Sequence, residues 1–302
     1  MCHVPMQIRS SKPEIRDKLK APNDEHSIAV PMVLRRAGLM ILALTSSVWL
    51  AGCGGPHTHD HARDRYAMVY YIDGAGAGGL LGWGDEVRAG LKQAGYRGGF
   101  EDFAWQTQLG FSADQLATVD YKRDKGRELA ARIRAYRDTH PGRPVHLIGL
   151  SAGTAIAAFA LEALPPGQQV DTVVMLGSSL ASDYDLTRAL AHVGDRMYVF
   201  ASEKDAVLNV VAPVLGSADR QYDGARFAGL RGFEPPARRT AATRRAYAKV
   251  TTMSWRPSFA RSGNDGGHTD WVKPRFIRDH VAPLLIGRHA MNALAGRHQG
   301  MS

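Results

Sequence analysis

Apolar residues along this chain gather in short runs separated by longer amphipathic stretches. The runs at 67–72 (Ala-Met-Val-Tyr-Tyr-Ile), 144–148, 170–176 and 196–201 are strand-length and several are apolar on both faces, the pattern of strands buried on both sides. Weaker strands are expected at 99–105 and 249–255. Between them, helical spacing is expected at 85–94, which ends at Gly95, and at 125–136, where Leu129, Ile133 and Tyr136 share a face before the breaker His140-Pro141-Gly142-Arg143-Pro144. An alanine-rich helix at 152–164 stops at Pro165-Pro166-Gly167, and further helices are expected at 186–191 and 276–285. Strand and helix alternate throughout without an internal repeat. This predicts an α/β fold: a mostly parallel, helix-flanked sheet of about six strands. The long stretch 207–248 between two strands is expected to be a cap insertion.

The first fifth of the chain breaks this rhythm. Residues 1–31 are polar and mixed in charge. Met32-Val33-Leu34-Arg35-Arg36 then leads into an apolar stretch at 37–50 and Leu50-Ala51-Gly52-Cys53. A basic start, a short apolar core and small residues before a cut are the parts of a secretory signal, and the core is short for a bilayer-spanning helix. Because such signals lie near the start of a chain, translation is expected to begin at Met32. Residues 53–66 read as a tether, 67–286 as the folded domain and 287–302 as a loose tail. His57, His59 and His61 in the tether alternate, but a flexible tract organises a metal poorly, and no metal site is expected.

Of the 302 residues, 38 are Lys or Arg and 29 Asp or Glu, a formal net charge of +9; the first 52 hold seven of those bases and four of those acids, which leaves +6 beyond them. No zinc-finger spacing and no basic stripe interleaved with aromatics accompanies this charge, so nucleic acid is not an expected partner. The only cysteines are Cys2 and Cys53. With Cys2 outside the mature chain no disulfide is expected, and the fold must rest on its core.

The densest chemical signal is Gly149-Leu150-Ser151-Ala152-Gly153, placed between the 144–148 strand and the 152–164 helix. A serine on a tight strand-to-helix turn, with a glycine two residues to either side, has the context of a nucleophile elbow. The helix start behind it aims N–H groups at the place where an oxyanion would form. A serine hydroxyl needs an imidazole to take its proton, and the imidazole needs a carboxylate. His268 is the best placed of twelve histidines, in a glycine-rich loop between the last strand and the last helix. His146 lies within the elbow strand and reads as packed; His192, His280 and His289 read as surface. Asp205, just beyond the 196–201 strand, is the first choice of acid, with Asp183 and Asp185 as runners-up. The loop from Asp73, Ser178 and Asp205 all follow strand ends, as Ser151 does, so one rim can gather them.

With serine, acid and histidine in this order, residues 67–286 resemble the α/β-hydrolase superfamily of lipases, esterases and thioesterases. The resemblance implies Ser151 as nucleophile, Asp205 as acid and His268 as base. It implies oxyanion donors at the N–H of Ala152 and, from the loop after the first strand, the N–H of Ala75 (or Gly76). That family often has His-Gly where this chain has Asp73-Gly74, and its two leading strands are absent here, so the fold is expected to be a shortened version. Leu50-Ala51-Gly52-Cys53 resembles the lipobox of bacterial lipoproteins, which implies lipidation of Cys53 and a location in the cell envelope. The expected activity is hydrolysis of a carboxylic ester or thioester, on a small-molecule or lipid substrate and without a cofactor. Two other readings stay open: acyl transfer in envelope remodelling, and a non-catalytic binding lipoprotein of the same fold. Leu80, Leu81, Trp83, Trp105 and Trp271 are candidates for an apolar acyl pocket.

Overall fold

Period-two alternation sends neighbouring residues of a strand to opposite faces of its sheet. In the computed structural model, which describes residues 63–77, 82–107, 109–211, 216–220 and 226–286, both faces are apolar. The six strands are β1 (Met68–Ile72), β2 (Gly99–Asp102), β3 (Val145–Leu150), β4 (Val170–Leu176), β5 (Val193–Ala201) and β6 (Val250–Ser254). They form one sheet in the order β2-β1-β3-β4-β5-β6, and every pair is parallel.

On one face Met68, Tyr70, Ile72, Leu147, Val173, Met175 and Val199 meet α3 (Val119–Thr139), α4 (Gly153–Ala163) and α5 (Thr187–Ala191) through Leu129, Ile133, Ile156, Phe159 and Leu190. On the other face Val69, Tyr71, Ile148, Leu150, Val174 and Phe200 pack against Val87 and Leu91 of α1 (Gly84–Gln93) and against Trp271, Phe276, Ile277 and Val281. The last three belong to the terminal helical segment, α8 (Pro274–Phe276), which continues into a π turn over Ile277–Val281.

Strand order explains where a site can form. From β1 the chain steps to β2 at one edge, then returns to the other side of β1 for β3. The connection after β1 leads to α1 on one face, and the connection after β3 leads to α4 on the other. Connections that leave in opposite directions open a crevice beyond the carboxyl ends of the two strands.

Several expectations need correction. The weak strand expected over 99–105 ends at Asp102; Phe103 still donates its N–H to Tyr71 O (2.8 Å), and the chain then turns away. Helix α3 starts at Val119 rather than 125, capped by Thr118, whose Oγ1 accepts from Tyr121 N–H (3.1 Å). Its first turns hid because Lys122, a charged residue, occupies a buried position and donates to Gln115 O and Ala218 O. Helices α2 (Phe111–Leu116) and α7 (Ala241–Tyr247) were not anticipated either. Asp64, in the stretch read as tether, is buried and its carbonyl accepts from the Tyr136 hydroxyl (2.5 Å). The described parts of 207–248 are built into the main body. Helix α6 (Ala228–Arg231) joins it through bonds from Ala228 N–H to Leu180 O and from Gly229 N–H to Ser178 O, and α7 packs against α5. His280, read as surface, is half-buried against the rings of Phe259 and Phe276.

Residues Leu80, Leu81, the histidines of the expected tether, His289 and Cys53 lie outside the described residues, as do the expected signal and tail.

Candidate active site

The turn after β3 is shaped by sterics. Ser151 has a φ of 51°, the left-handed region that costs a non-glycine residue roughly 1–2 kcal/mol. What holds it there is the room its neighbours leave. A Cβ on Gly153 would lie 2.2 Å from Ile72 O and 2.4 Å from Asp73 O, and one on Gly149 would lie 3.0 Å from Thr154 Cα. Glycine at both positions lets α4 start directly against the end of β1. Ser151 N–H donates to Leu176 O (2.9 Å), which fastens the turn to β4. Its carbonyl accepts from Thr154 Oγ1 (2.6 Å), and that hydroxyl also meets Ser178 Oγ at 2.8 Å. The side chain of Ser178, one of the strand-end residues expected on the rim, thus supports the elbow.

Two strands away, a turn after β5 presents Asp205. Its N–H donates to Ser202 O (3.1 Å), its Oδ1 accepts from Leu208 N–H (3.0 Å), and its Oδ2 meets His268 Nδ1 at 2.6 Å. Asp205 is wholly buried, whereas the His268 side chain keeps 10% of its surface. A carboxylate only accepts, so this bond puts the proton of a neutral imidazole on Nδ1 and leaves Nε2 as the basic nitrogen. The carboxyl group also borders β4: a Cβ on Gly177 would lie 3.4 Å from Asp205 Oδ2. Gly177 directly follows Leu176, whose carbonyl holds Ser151. The Asp205–His268 pair and Ser151 are therefore placed across the end of a single strand. Their last link is not made: among the described residues the Ser151 hydroxyl has no hydrogen-bond partner, and His268 is joined to Asp205 alone. Such contacts are often long before a substrate is bound.

Asp183 and Asp185, the other acids considered, are exposed, and Asp185 accepts from Thr187 N–H (2.8 Å) as a local turn former. His146 is fully buried in β3, and His192 meets Gln168 O at 2.8 Å. The His268 loop is shaped by Asp270, whose Oδ2 accepts from Gly267 N–H (2.9 Å) and Asp265 N–H (3.0 Å) and whose Oδ1 pairs with Lys273 (2.6 Å). Burial raises its affinity for a proton, but Lys273 and the two N–H donors outweigh that and hold the carboxyl below its ordinary value.

The loop after β1 closes the site. A Cβ on Gly74 would lie 3.3 Å from the Cβ of Ser151. Among the described residues neither Ala152 N–H nor Ala75 N–H has an acceptor. Gly76 N–H, the other candidate donor, is taken: it donates to Asp114 Oδ2 at 2.8 Å. Asp73, in the place where the resembled family often has histidine, is buried and ties the loop's base. Its Oδ1 accepts from Gly74 N–H (2.7 Å) and the Tyr71 hydroxyl (2.9 Å), and its Oδ2 from Trp83 N–H (2.6 Å). Burial first, and the charge of Asp102 second, push the Asp73 carboxyl up to about 7 against the pull of those three donors.

Reading the sequence missed Trp105, Gln106 and Asp114 as neighbours of this loop; only an acid within an otherwise unassigned stretch hinted at Asp114. Two of the five proposed pocket residues proved to be core: Trp105 and Trp271 are fully buried, and Trp271 sits among Phe200, Phe259 and Phe276. Trp83 is half-buried. Among the described residues no group of three His, Cys, Asp or Glu could hold a metal, and no helix is long and apolar enough to cross a membrane.

No family model matches the chain, and no curated protein matches it by sequence. Among solved structures it is similar to a poly(3-hydroxybutyrate) depolymerase from Bordetella parapertussis (15% identity, 77% of this chain and 84% of that one, TM-score 0.44). It is also similar to a carboxylesterase from Bacillus subtilis (12%, 83% and 99%, TM-score 0.36) and an esterase from Pyrobaculum calidifontis (14%, 94% and 95%, TM-score 0.36). Likenesses this loose leave the functional argument to the chain's own geometry.

Proposed function

We propose that this protein is a serine hydrolase that cleaves a carboxylic ester or thioester through an acyl-enzyme. One observation carries the reading: a left-handed serine at a strand-to-helix turn and a buried Asp205–His268 pair lie across the end of one strand. In the first half-reaction Ser151 Oγ attacks the carbonyl carbon and its proton passes to His268 Nε2. Asp205 holds the imidazole in the tautomer that can accept it and stabilises the imidazolium that results. The oxyanion accepts from the N–H groups of Ala152 and Ala75, each such donor contributing about 3–4 kcal/mol to the transition state. Collapse breaks the bond to the alcohol or thiol, which leaves with the proton from His268. Water then repeats the sequence on the acyl-enzyme and frees the acid and Ser151.

A fluorophosphonate probe tests the assignment. It is expected to label Ser151 in the wild-type chain and to leave Ser151→Ala unlabelled; label on the variant would refute the nucleophile. Turnover of p-nitrophenyl esters of graded chain length then reads the acyl preference. Added alcohol acceptors separate hydrolysis from acyl transfer: transesterified product in place of free acid would favour the transferase.

The sequence Leu50-Ala51-Gly52-Cys53 after a basic start and an apolar stretch supports attachment of this activity to a membrane through lipid on Cys53, in the cell envelope. Two or more acyl chains suffice for stable anchoring. Metabolic labelling with a tagged fatty acid is expected to mark the wild-type chain and to spare Cys53→Ser; equal labelling of both would remove the anchor.

A further inference from the structure

An oxyanion donor is useful only if its peptide plane faces the right way, and the plane of the Gly74–Ala75 peptide is set from outside the loop. In a trans peptide the C=O of one residue and the N–H of the next lie in one plane and point in opposite directions. Gln106 Nε2 donates to Gly74 O at 3.2 Å. That bond draws the carbonyl towards Gln106 and so directs the Ala75 N–H away from it. The Gln106 side chain is buried, and its other end is engaged as well: Oε1 accepts from Trp105 N–H at 3.1 Å. A backbone donor at one end and a carbonyl acceptor at the other fix which way round the amide stands.

The flanking planes are held from the same segment and from α2. Trp105 Nε1 donates to Asp73 O (2.8 Å). Asp114, buried in α2, accepts Gly76 N–H on Oδ2 (2.8 Å) and both Thr107 N–H and Thr107 Oγ1 on Oδ1 (2.6 Å each). Asp73 O, Gly74 O and Gly76 N–H are thus all occupied, and the Ala75 N–H between them has no acceptor among the described residues.

We infer that Gln106, with Asp114 as its counterpart on the next peptide, is the positioning residue that keeps the Ala75 N–H turned towards the reacting carbonyl. This rests on the serine-hydrolase reading above and adds the device that keeps its oxyanion hole formed. Neither residue touches substrate; both act through the loop.

Gln106→Glu keeps the shape but, ionised, presents only acceptors to Gly74 O; Gln106→Leu removes the donor without adding charge. Both are expected to lower kcat about 10- to 100-fold, below the loss seen for a deleted oxyanion donor because the peptide can still visit the right orientation. KM is expected to stay within about twofold, since the oxyanion bond is made in the transition state rather than the ground state. The rate of fluorophosphonate labelling of Ser151 should fall in parallel with kcat. Asp114→Asn, which puts a donor where one of two N–H groups was accepted, should show the same split to a smaller degree. A purely structural role would instead lower the melting temperature and raise KM without slowing labelling of the folded fraction, and that outcome overturns the inference. If wild type labels at Ser151 and the folded variants label as fast, the inference falls and the hydrolase reading stands. If wild type takes no label, the hydrolase reading falls and the inference with it.

Discussion

Ser151 is held by its own neighbourhood and the strand ends it touches, whereas the loop facing it takes its shape from side chains 32 to 38 positions further along the chain. At the elbow the forces are contact forces. Glycine at 149 and 153 lets backbone approach backbone, and added atoms have nowhere to go. At the loop the forces are polar. Asp73, Trp105, Gln106 and Asp114 satisfy one peptide after another, and one of these groups ionises close to neutrality. Steric walls are indifferent to pH and intolerant of volume; polar clamps tolerate small changes of volume and respond to charge. Half of the candidate site is therefore rigid by packing and half by hydrogen bonds.

The largest expected effect lies at the Asp205–His268 pair: Asp205→Asn keeps the shape but presents the imidazole with an amide that can favour the wrong tautomer. A loss of about 10⁴-fold in kcat is expected, with the melting curve close to wild type; retention of more than a tenth of wild-type kcat would remove Asp205 from the relay.

The next effect belongs to the loop. A buried carboxyl that ionises near 7 when folded, against 3.8 as a free side chain, keeps its proton longer in the native state than in the unfolded one. The fold therefore has its full stability from this group below about pH 4, and loses it as pH rises through 4 towards 7. The loss runs at up to about 1.4 kcal/mol per pH unit and approaches about 4 kcal/mol above 7. Urea denaturation across pH 4–8 should show this slope, and Asp73→Asn should flatten it. Parallel slopes for the two proteins would mean that Asp73 titrates normally.

Gly153→Ala tests the elbow by volume. Its new methyl would stand against the carbonyls of Ile72 and Asp73, which are backbone and cannot swing aside. A loss of about 3 kcal/mol in urea is expected, at the upper end for overpacking, and it should not vary over pH 4–8. A pH-dependent loss would couple the two walls. The mildest probe is Thr154→Val, which removes the hydroxyl between Ser151 O and Ser178 Oγ. About 1–2 kcal/mol is expected, together with a few-fold loss of kcat; unchanged kcat would show that Ser151 needs no support from behind.

The elbow was readable from five consecutive letters because its own glycines carry the steric fit: Gly149 faces the backbone of Thr154 in the same turn, and Gly153 leaves room for the carbonyls of Ile72 and Asp73 at the end of β1. His268 and Asp205 were readable from their place after strand ends, since a parallel sheet brings all its carboxyl ends to one rim. The alternation of apolar runs and amphipathic stretches fixed the α/β architecture for the same kind of reason. Periodicity faded where a buried charge or a short helix interrupted it. Lys122 occupies a core-facing position and concealed the start of α3, while α2 is only six residues long and too short to show a period. Tertiary structure alone decided which N–H groups of the 73–77 loop are spent and which stay available. Peptide orientation depends on partners such as Gln106 and Asp114, and no rule of spacing announces which distant side chain will reach a given carbonyl.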